Sequence, residues 1–136
     1  PRPFLSGVFE TIQRATPGME SIRYDITRDE IRLVIGGKDV SWGQLSDGYH
    51  SFIAMVGDMA RRAVMLNDHF GAAAPQETEG LVLIDEVDLH LHPSWQRQVI
   101  PSLRRAFPKI QFVVTTHSPQ VLSSVENRQV RKNVSK

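Results

Sequence analysis

The chain has 136 residues, enough for one domain with a single hydrophobic core, and its net charge of +1 gives no global reason to expect nucleic acid or a membrane as a partner. It has no cysteine, which excludes disulfides and thiolate metal sites. No apolar run approaches the ~20 residues of a membrane span and no signal-peptide pattern opens the chain, so we predict a cytoplasmic protein.

Residues 1–39 predict a helix followed by a β-hairpin. Apolar residues at helical spacing open the chain, and that pattern stops at Thr16. Alternating apolar residues over 20–26 and 30–36 then predict two paired strands. Because the chain begins with Pro1 and not with Met, we expect it to be an excised or processed piece of a longer protein.

Residues 40–70 predict a loop of small and polar residues followed by a long amphipathic helix. From Phe52 to Leu66 the apolar residues keep the i, i+3, i+4, i+7 spacing, and Ser46 or Asp47 is placed to cap the helix. Gly48 lets the backbone approach a ligand, and the N–H groups of a helix N-terminus bind phosphate. Taken alone, however, these residues are explained more simply as a capped turn.

The most informative stretch is a short strand that ends in two acids. Residues 81–84 follow an expected exposed loop over 67–79, and their apolar run is typical of a parallel strand buried on both faces. Asp85 and Glu86 come next, at the end of the strand where such sheets bind ligands. Two adjacent buried acids repel each other unless a cation or a proton offsets them. We therefore predict Mg²⁺ carrying phosphates, because this ion combines few carboxylates with phosphate and water oxygens.

A helix is predicted after the acidic pair. Pro93 suits its first position, Phe107 precedes the proline that ends it, and Pro101 is expected to kink it or break its hydrogen-bond ladder. His90 and His92 in the preceding loop could be metal ligands. With no cysteine and no third histidine nearby, we interpret them instead as residues that position the loop by hydrogen bonds.

A second buried strand is predicted to end beside the first. Residues 110–114 are mainly apolar and lead into the polar run Thr115-Thr116-His117-Ser118-Pro119. Parallel strand–helix–strand order would place His117 beside Asp85 and Glu86 along one sheet edge. A lone histidine after a strand is more often structural, but beside a pair of strand-end acids we expect it to be functional.

The C-terminal residues, 126–136, form a locally basic tail. The tail contains one acid, Glu126, and four basic residues: Arg128, Arg131, Lys132 and Lys136. They could face DNA, but a solvated terminus that frays is the simpler interpretation.

Four motifs, in chain order, resemble those of ATP-binding-cassette (ABC) ATPase heads, and more narrowly those of the SMC, RecF and OLD-like group of AAA-labelled ATPases. Leu45-Ser46-Asp47-Gly48-Tyr49 is similar to the signature motif, and Leu81 to Glu86 is similar to a Walker B strand with its catalytic glutamate. Val87-Asp88 resembles the D-loop, and Thr116-His117-Ser118-Pro119 resembles the switch-histidine loop. The run over 88–93 and that over 115–119 look specifically like those of OLD and Septu-type defence ATPases. The resemblance covers about residues 40–125.

One family motif has no counterpart here. No segment matches G-x-x-x-x-G-K-[ST], the Walker A loop that cradles phosphates, and Gly36-Gly37-Lys38 is followed by Asp39. The resemblance therefore implies the C-terminal lobe of a P-loop NTPase head of the ABC type. Its fold would be α/β, with parallel buried strands flanked by helices and an N-terminal β-hairpin. Residues 1–136 would form a single partial ATPase-head domain, with the region from Walker B to the switch histidine at 80–125.

The resemblance implies a role for each strand-end residue toward ATP and Mg²⁺. Asp85 would orient Mg²⁺ through its waters, and Glu86 would polarise the attacking water. His117 would contact and sense the γ-phosphate, and Asp88 would belong to the D-loop.

The resemblance also implies that the signature residues act on a second head. Ser46, Asp47 and Gly48 would face ATP bound by that head, so that ATP joins a head-to-head dimer. The Walker A loop would come from a missing N-terminal lobe or from a partner chain. By itself the chain should not hydrolyse ATP, and its half-sheet should expose an apolar edge that a partner or self-association covers.

Three functions remain open from the sequence. The first is an ATPase, present here as one lobe, that drives DNA repair or phage defence with DNA or a nuclease effector as possible partners. The second is a non-catalytic split subunit or remnant that supplies the signature half-site to another chain, and a Walker A loop upstream in the same gene would decide between these two. The third is an unrelated α/β phosphatase or phosphotransferase, which leaves Leu45-Ser46-Asp47-Gly48 without a role.

Overall fold

The structure is a computed structural model that describes residues 2–89 and 91–132. His90 and Lys136, both considered above, lie outside the described residues. The strands are β1 (Met19–Asp25), β2 (Glu30–Ile35), β3 (Lys38–Ser41), β4 (Gly80–Ile84) and β5 (Ile110–Val114). The α-helices are α1 (Arg2–Ala15), α2 (Asp47–Leu66), α3 (Ala74–Glu77), α4 (Pro93–Gln96), α5 (Val99–Ala106) and α6 (Pro119–Ser123).

The N-terminal sheet has one strand more than the predicted hairpin. β1, β2 and β3 pair in that order, all antiparallel, with Tyr24 opposite Ile31 and Leu33 opposite Val40. Gly36 and Gly37 both have positive φ, of 59° and 78°, so they turn the chain tightly from β2 into β3. The one Gly-Lys sequence of the chain is therefore a hairpin turn and not a phosphate-binding loop.

The second sheet is parallel, as predicted. β4 pairs with β5 from Gly80 opposite Ile110 to Ile84 opposite Val114. The expectation that these strands are buried on both faces is wrong for this chain. Leu81 and Leu83 are 59% and 72% exposed, because the chain supplies helices to one face of the sheet.

The core lies between the two sheets and three helices. Its largest fully buried apolar side chains come from β2, α2 and α5 and from the residue after α5, and they include Leu33, Phe52, Val56, Val99, Leu103 and Phe107. The apolar face of α2 accounts for six buried residues, as its spacing predicts. α1 packs against both α2 and α5 and so joins these two helices.

Two connecting segments differ in how well they follow the prediction. The helix expected from Pro93 is split into α4 and α5, because Pro101 has no N–H to donate to the carbonyl of Arg97. The prediction of an exposed loop over 67–79 is wrong, since the segment contains a 3₁₀ turn (Asp68–Ala73) and α3. Its residue Ala74 is fully buried. Within 2–89 and 91–132, no helix is long and apolar enough to cross a membrane.

Candidate functional site

The residues that follow β4 and β5 stay hydrogen-bonded beyond the ends of the strands. The Thr115 N–H donates to the Ile84 carbonyl at 2.9 Å, and the Val87 N–H donates to the Thr115 carbonyl at 3.0 Å. This ladder brings Asp85 and Glu86 alongside Thr115, as the parallel order predicts. The carboxyl ends of both strands therefore form one polar edge.

Two threonine hydroxyls join this edge together, and sequence reasoning missed both. The Thr115 hydroxyl donates to Asp85 Oδ1 and accepts the Glu86 N–H at 2.7 Å. The Thr116 hydroxyl donates to Asp88 Oδ1 and accepts the Ser118 N–H at 3.0 Å. The only signal in the sequence is two hydroxyl residues directly after a strand, which by itself is a common pattern.

Glu86 has an unusual backbone conformation. Its φ is +50°, in the left-handed region, which costs a residue with a side chain about 1–2 kcal/mol. Such strain persists only where the surroundings enforce it, and it is frequent at functional sites. The turn also leaves the side chains of Asp85 and Glu86 exposed to solvent, so the buried acidic pair expected from the sequence is not found in this chain.

His117 lies in the loop between β5 and α6. It is exposed, whereas the next residue, Ser118, is 5% exposed and caps α6 by accepting the Val121 N–H at 3.3 Å. The Ser118 hydroxyl also donates to Oε1 of Gln96 in α4. The loop is therefore anchored on both sides of His117, at Thr116 and at Ser118, on the edge that carries the three acids.

The signature residues lie at the N-terminus of α2. Ser46 is the N-cap, with φ −69° and ψ 160°, and its side chain makes no capping hydrogen bond among the described residues. Ser46 and Asp47 are exposed. The turn before them is held in place, because His50 Nε2 lies 2.6 Å from the Trp42 carbonyl oxygen and the two rings are 4.6 Å apart.

An open cleft of about 500 Å³ lies beside the signature residues. Its lining includes Ser46, Gly48, Leu91, His92 and Trp95. The Trp95 ring packs against Tyr49 and Phe52 of α2, with centroids 4.5 and 5.0 Å apart. This contact holds α4 against α2.

His92 has the loop-positioning role predicted for it. Its Nδ1 accepts the Ser94 N–H at 3.2 Å and so caps α4. No hydrogen bond among the described residues joins Ser46, Asp47 or Gly48 to Asp85, Glu86 or His117. The chain therefore presents two separate polar groups, one at the strand ends and one at the helix N-terminus.

The donor set at the strand ends fits a magnesium ion that is shared with phosphate. Among the described residues, no group of three or more His, Asp or Glu side chains is arranged to hold a metal by itself. Mg²⁺ characteristically takes one or two carboxylates and completes its shell with water and phosphate oxygens. Asp85 is exposed and has one oxygen held by Thr115, which leaves the other oxygen for such a shell.

The family of the chain follows from comparison with known proteins. Residues 23–123 match the family described as "AAA domain, putative AbiEii toxin, Type IV TA system", and the chain belongs to that family. Two solved structures share its fold. One is described as "Structural biochemistry of ATP-driven dimerization and DNA stimulated activation of SMC ATPases" and has a TM-score of 0.61. The other is an SMC head bound to the C-winged helix domain of ScpA and has a TM-score of 0.53. They are 19% and 18% identical to the chain, cover 92% and 90% of it, and are themselves covered over 75% and 36% of their length. The predicted resemblance to the SMC and OLD-like group of AAA ATPases is confirmed.

Curated relatives are more similar in sequence. The chain is 41% identical over 128 residues to "Retron Ec83 probable ATPase" of Escherichia coli and 43% identical over 102 residues to "Retron Vc95 probable ATPase" of Vibrio cholerae. It is 38% identical over 126 residues to "Septu protein PtuA" of Bacillus mycoides. These matches cover 93%, 75% and 90% of the chain but 23%, 20% and 17% of the relatives, so the chain spans about a fifth of their length.

Proposed function

We propose that this chain is the part of an ATPase head that supplies the Walker B acids, the switch histidine and the signature loop for ATP hydrolysis. The observation that carries the proposal is the polar edge at the ends of β4 and β5, where hydrogen bonds hold Asp85, Glu86 and Asp88 against the residues that precede His117. Two relatives named as probable ATPases support it. Mg²⁺ would supply charge stabilisation for the phosphates at this edge.

In the proposed reaction, water attacks the γ-phosphorus and the bond to the β-phosphate oxygen breaks, giving ADP and phosphate. Glu86 polarises the attacking water and accepts its proton, and its exposure leaves its carboxylate open to that water. Asp85 orients the metal. His117 donates a hydrogen bond to the γ-phosphate and so responds to its presence.

The signature residues are proposed to act on the ATP of a second head. Ser46 keeps its hydroxyl for a ligand because, among the described residues, it makes no capping bond to its own helix. The first N–H groups of a helix have no partner within the helix, so those of α2 can bind the same ligand. Among the described residues no hydrogen bond joins them to Asp85 or Glu86, which fits a role in a different nucleotide site. The ATP-driven dimerization of SMC ATPases is a precedent for dimerisation by ATP in the same fold.

The rest of the ATP site is proposed to come from outside this chain. β4 and β5 form a sheet of two strands whose outer face exposes Leu81, Leu83 and Val113. A lobe that carries the Walker A loop would cover this apolar face and complete the sheet. That lobe is either another part of the same protein or a partner chain, in which case this chain is a split subunit. We call the completed protein the assembled ATPase and propose that it serves DNA repair or phage defence.

The proposed function predicts hydrolysis that depends on assembly and on Mg²⁺. The assembled ATPase should release phosphate from ATP, and EDTA should abolish the release because Asp85 has no other means to engage the phosphates. The 136-residue chain alone should release none, since it lacks the Walker A contacts. A phosphate-release assay on both proteins, with and without Mg²⁺, measures this, and an assembled protein that binds Mg²⁺ and ATP but releases no phosphate would overturn the proposal.

A further inference from the structure

We propose that Thr115 is a positioning residue for the acidic edge, holding the Asp85 carboxylate and the backbone of Glu86 through one hydroxyl. The inference rests on the proposed function and adds a residue to it. Thr115 touches neither the water nor the phosphates in this role. It acts through the two acids that do.

The hydrogen-bonding capacity of a hydroxyl fixes the direction of each contact. A threonine hydroxyl has one proton to donate and lone pairs to accept with. Because the Glu86 N–H must donate to Thr115, the hydroxyl proton is left for Asp85 Oδ1. A single side chain directly after β5 therefore binds the two consecutive residues that follow β4.

The two contacts have different consequences. The bond to Oδ1 fixes the rotation of the Asp85 carboxylate and so selects which oxygen faces a cation, as outer-sphere partners of metal ligands do. The bond to the Glu86 N–H stabilises a backbone conformation, with φ at +50°, that costs free energy for a residue with a side chain. Without the hydroxyl, Glu86 can relax towards ordinary backbone angles, and its carboxylate then moves away from the direction that the turn imposes.

Thr116 makes the same kind of contact one residue later. Its hydroxyl donates to Asp88 Oδ1 and accepts the Ser118 N–H within its own loop. This second clamp joins the acid after the turn to the loop of His117, but it does not reach Asp85 or Glu86. The two threonines therefore have separable effects, and the Ser118 amide serves as a reference when Thr115 is changed.

The first test is residue-resolved amide hydrogen exchange of the assembled ATPase, unaltered and as Thr115→Val. The Glu86 amide should exchange at least about tenfold faster in the variant, because its acceptor is lost. The Val87 amide should keep its rate because it donates to the Thr115 backbone carbonyl, and so should the Ser118 amide. Thr115→Ser should restore the Glu86 rate, whereas equal Glu86 rates in the unaltered protein and in Thr115→Val would overturn the inference.

The second test is the kinetics of the same variants. Thr115→Val should lower kcat by about 10- to 100-fold and raise the Mg²⁺ concentration for half-maximal rate, with KM for ATP unchanged, and Thr115→Ser should restore both. Thr16→Val is the control, because among the described residues the buried Thr16 hydroxyl bonds only to the Ile12 carbonyl in α1, and this change should leave both quantities unaltered. An unchanged kcat and Mg²⁺ dependence in Thr115→Val would overturn the inference. Lack of hydrolysis in the unaltered protein would count against the proposed function, and the exchange rates would still decide on Thr115.

Discussion

Glu86→Gln should lower ATP turnover of the assembled ATPase by about 10²- to 10⁴-fold, the usual contribution of a positioned general base. Glutamine has nearly the shape of glutamate, and it keeps the backbone N–H that donates to the Thr115 hydroxyl. The fold and the left-handed turn should therefore persist while the proton acceptor is lost. ATP affinity should stay unchanged or rise, since the phosphates gain a neutral neighbour in place of an anion. Phosphate release and equilibrium binding of ATP measure the two effects.

A matched control for this variant lies at the other end of the same strand. Glu79 is exposed and precedes β4, so Glu79→Gln makes the same change in charge and shape away from the acidic edge. It should hydrolyse ATP at the unaltered rate. Turnover of Glu86→Gln within a factor of about three of this control would remove the general-base role from Glu86.

Ser46→Arg should abolish ATP-dependent dimerisation of the assembled ATPase. Ser46 is exposed at the start of α2, so an arginine there is accommodated without disturbing the core. In the dimer, however, its side chain would fill the space where the γ-phosphate of the second head meets the helix N-terminus. Each head should still bind ATP at its own Walker A loop. Sedimentation with and without ATP, together with ATP binding, separates these outcomes.

The same helix offers a control for that substitution. Ser51 is exposed and lies more than one turn beyond Ser46, so Ser51→Arg adds the same charge and bulk away from the N-terminus. It should dimerise with ATP as the unaltered protein does. If Ser46→Arg sediments as a dimer in ATP, the signature loop does not bind a second head's nucleotide.

The elements that could be predicted from sequence are those defined by a local pattern of residues within the element. The spacing of apolar residues defines α2, and two short apolar runs define β4 and β5. The break before Pro101 follows from the chemistry of one residue. β3 was missed because four residues, half of them charged, carry no periodicity, and only the turn at Gly36 and its pairing with β2 make them a strand.

The features that could not be predicted depend on partners distant in the sequence. An apolar run does not say which faces of its sheet the same chain will cover, so the exposure of Leu81 and Leu83 could not be foreseen. The clamps formed by Thr115 and Thr116 join residues 28 to 30 positions apart, and hydroxyls after a strand are too common to signal them. The positive φ of Glu86 likewise has no signal in the residue type.

The central claim is that one head supplies Glu86 and the other supplies Ser46 to each ATP. The most direct measurement mixes two inactive variants of the assembled ATPase, Glu86→Gln and Ser46→Arg, and follows phosphate release. In a mixed dimer one site combines the intact Glu86 of one head with the intact Ser46 of the other, and this one intact contact holds the two heads together. The mixture should therefore hydrolyse ATP well above either variant alone, up to about a quarter of the unaltered rate. A mixture as inactive as its two components, while mixed dimers form, would contradict the claim that ATP is shared between heads.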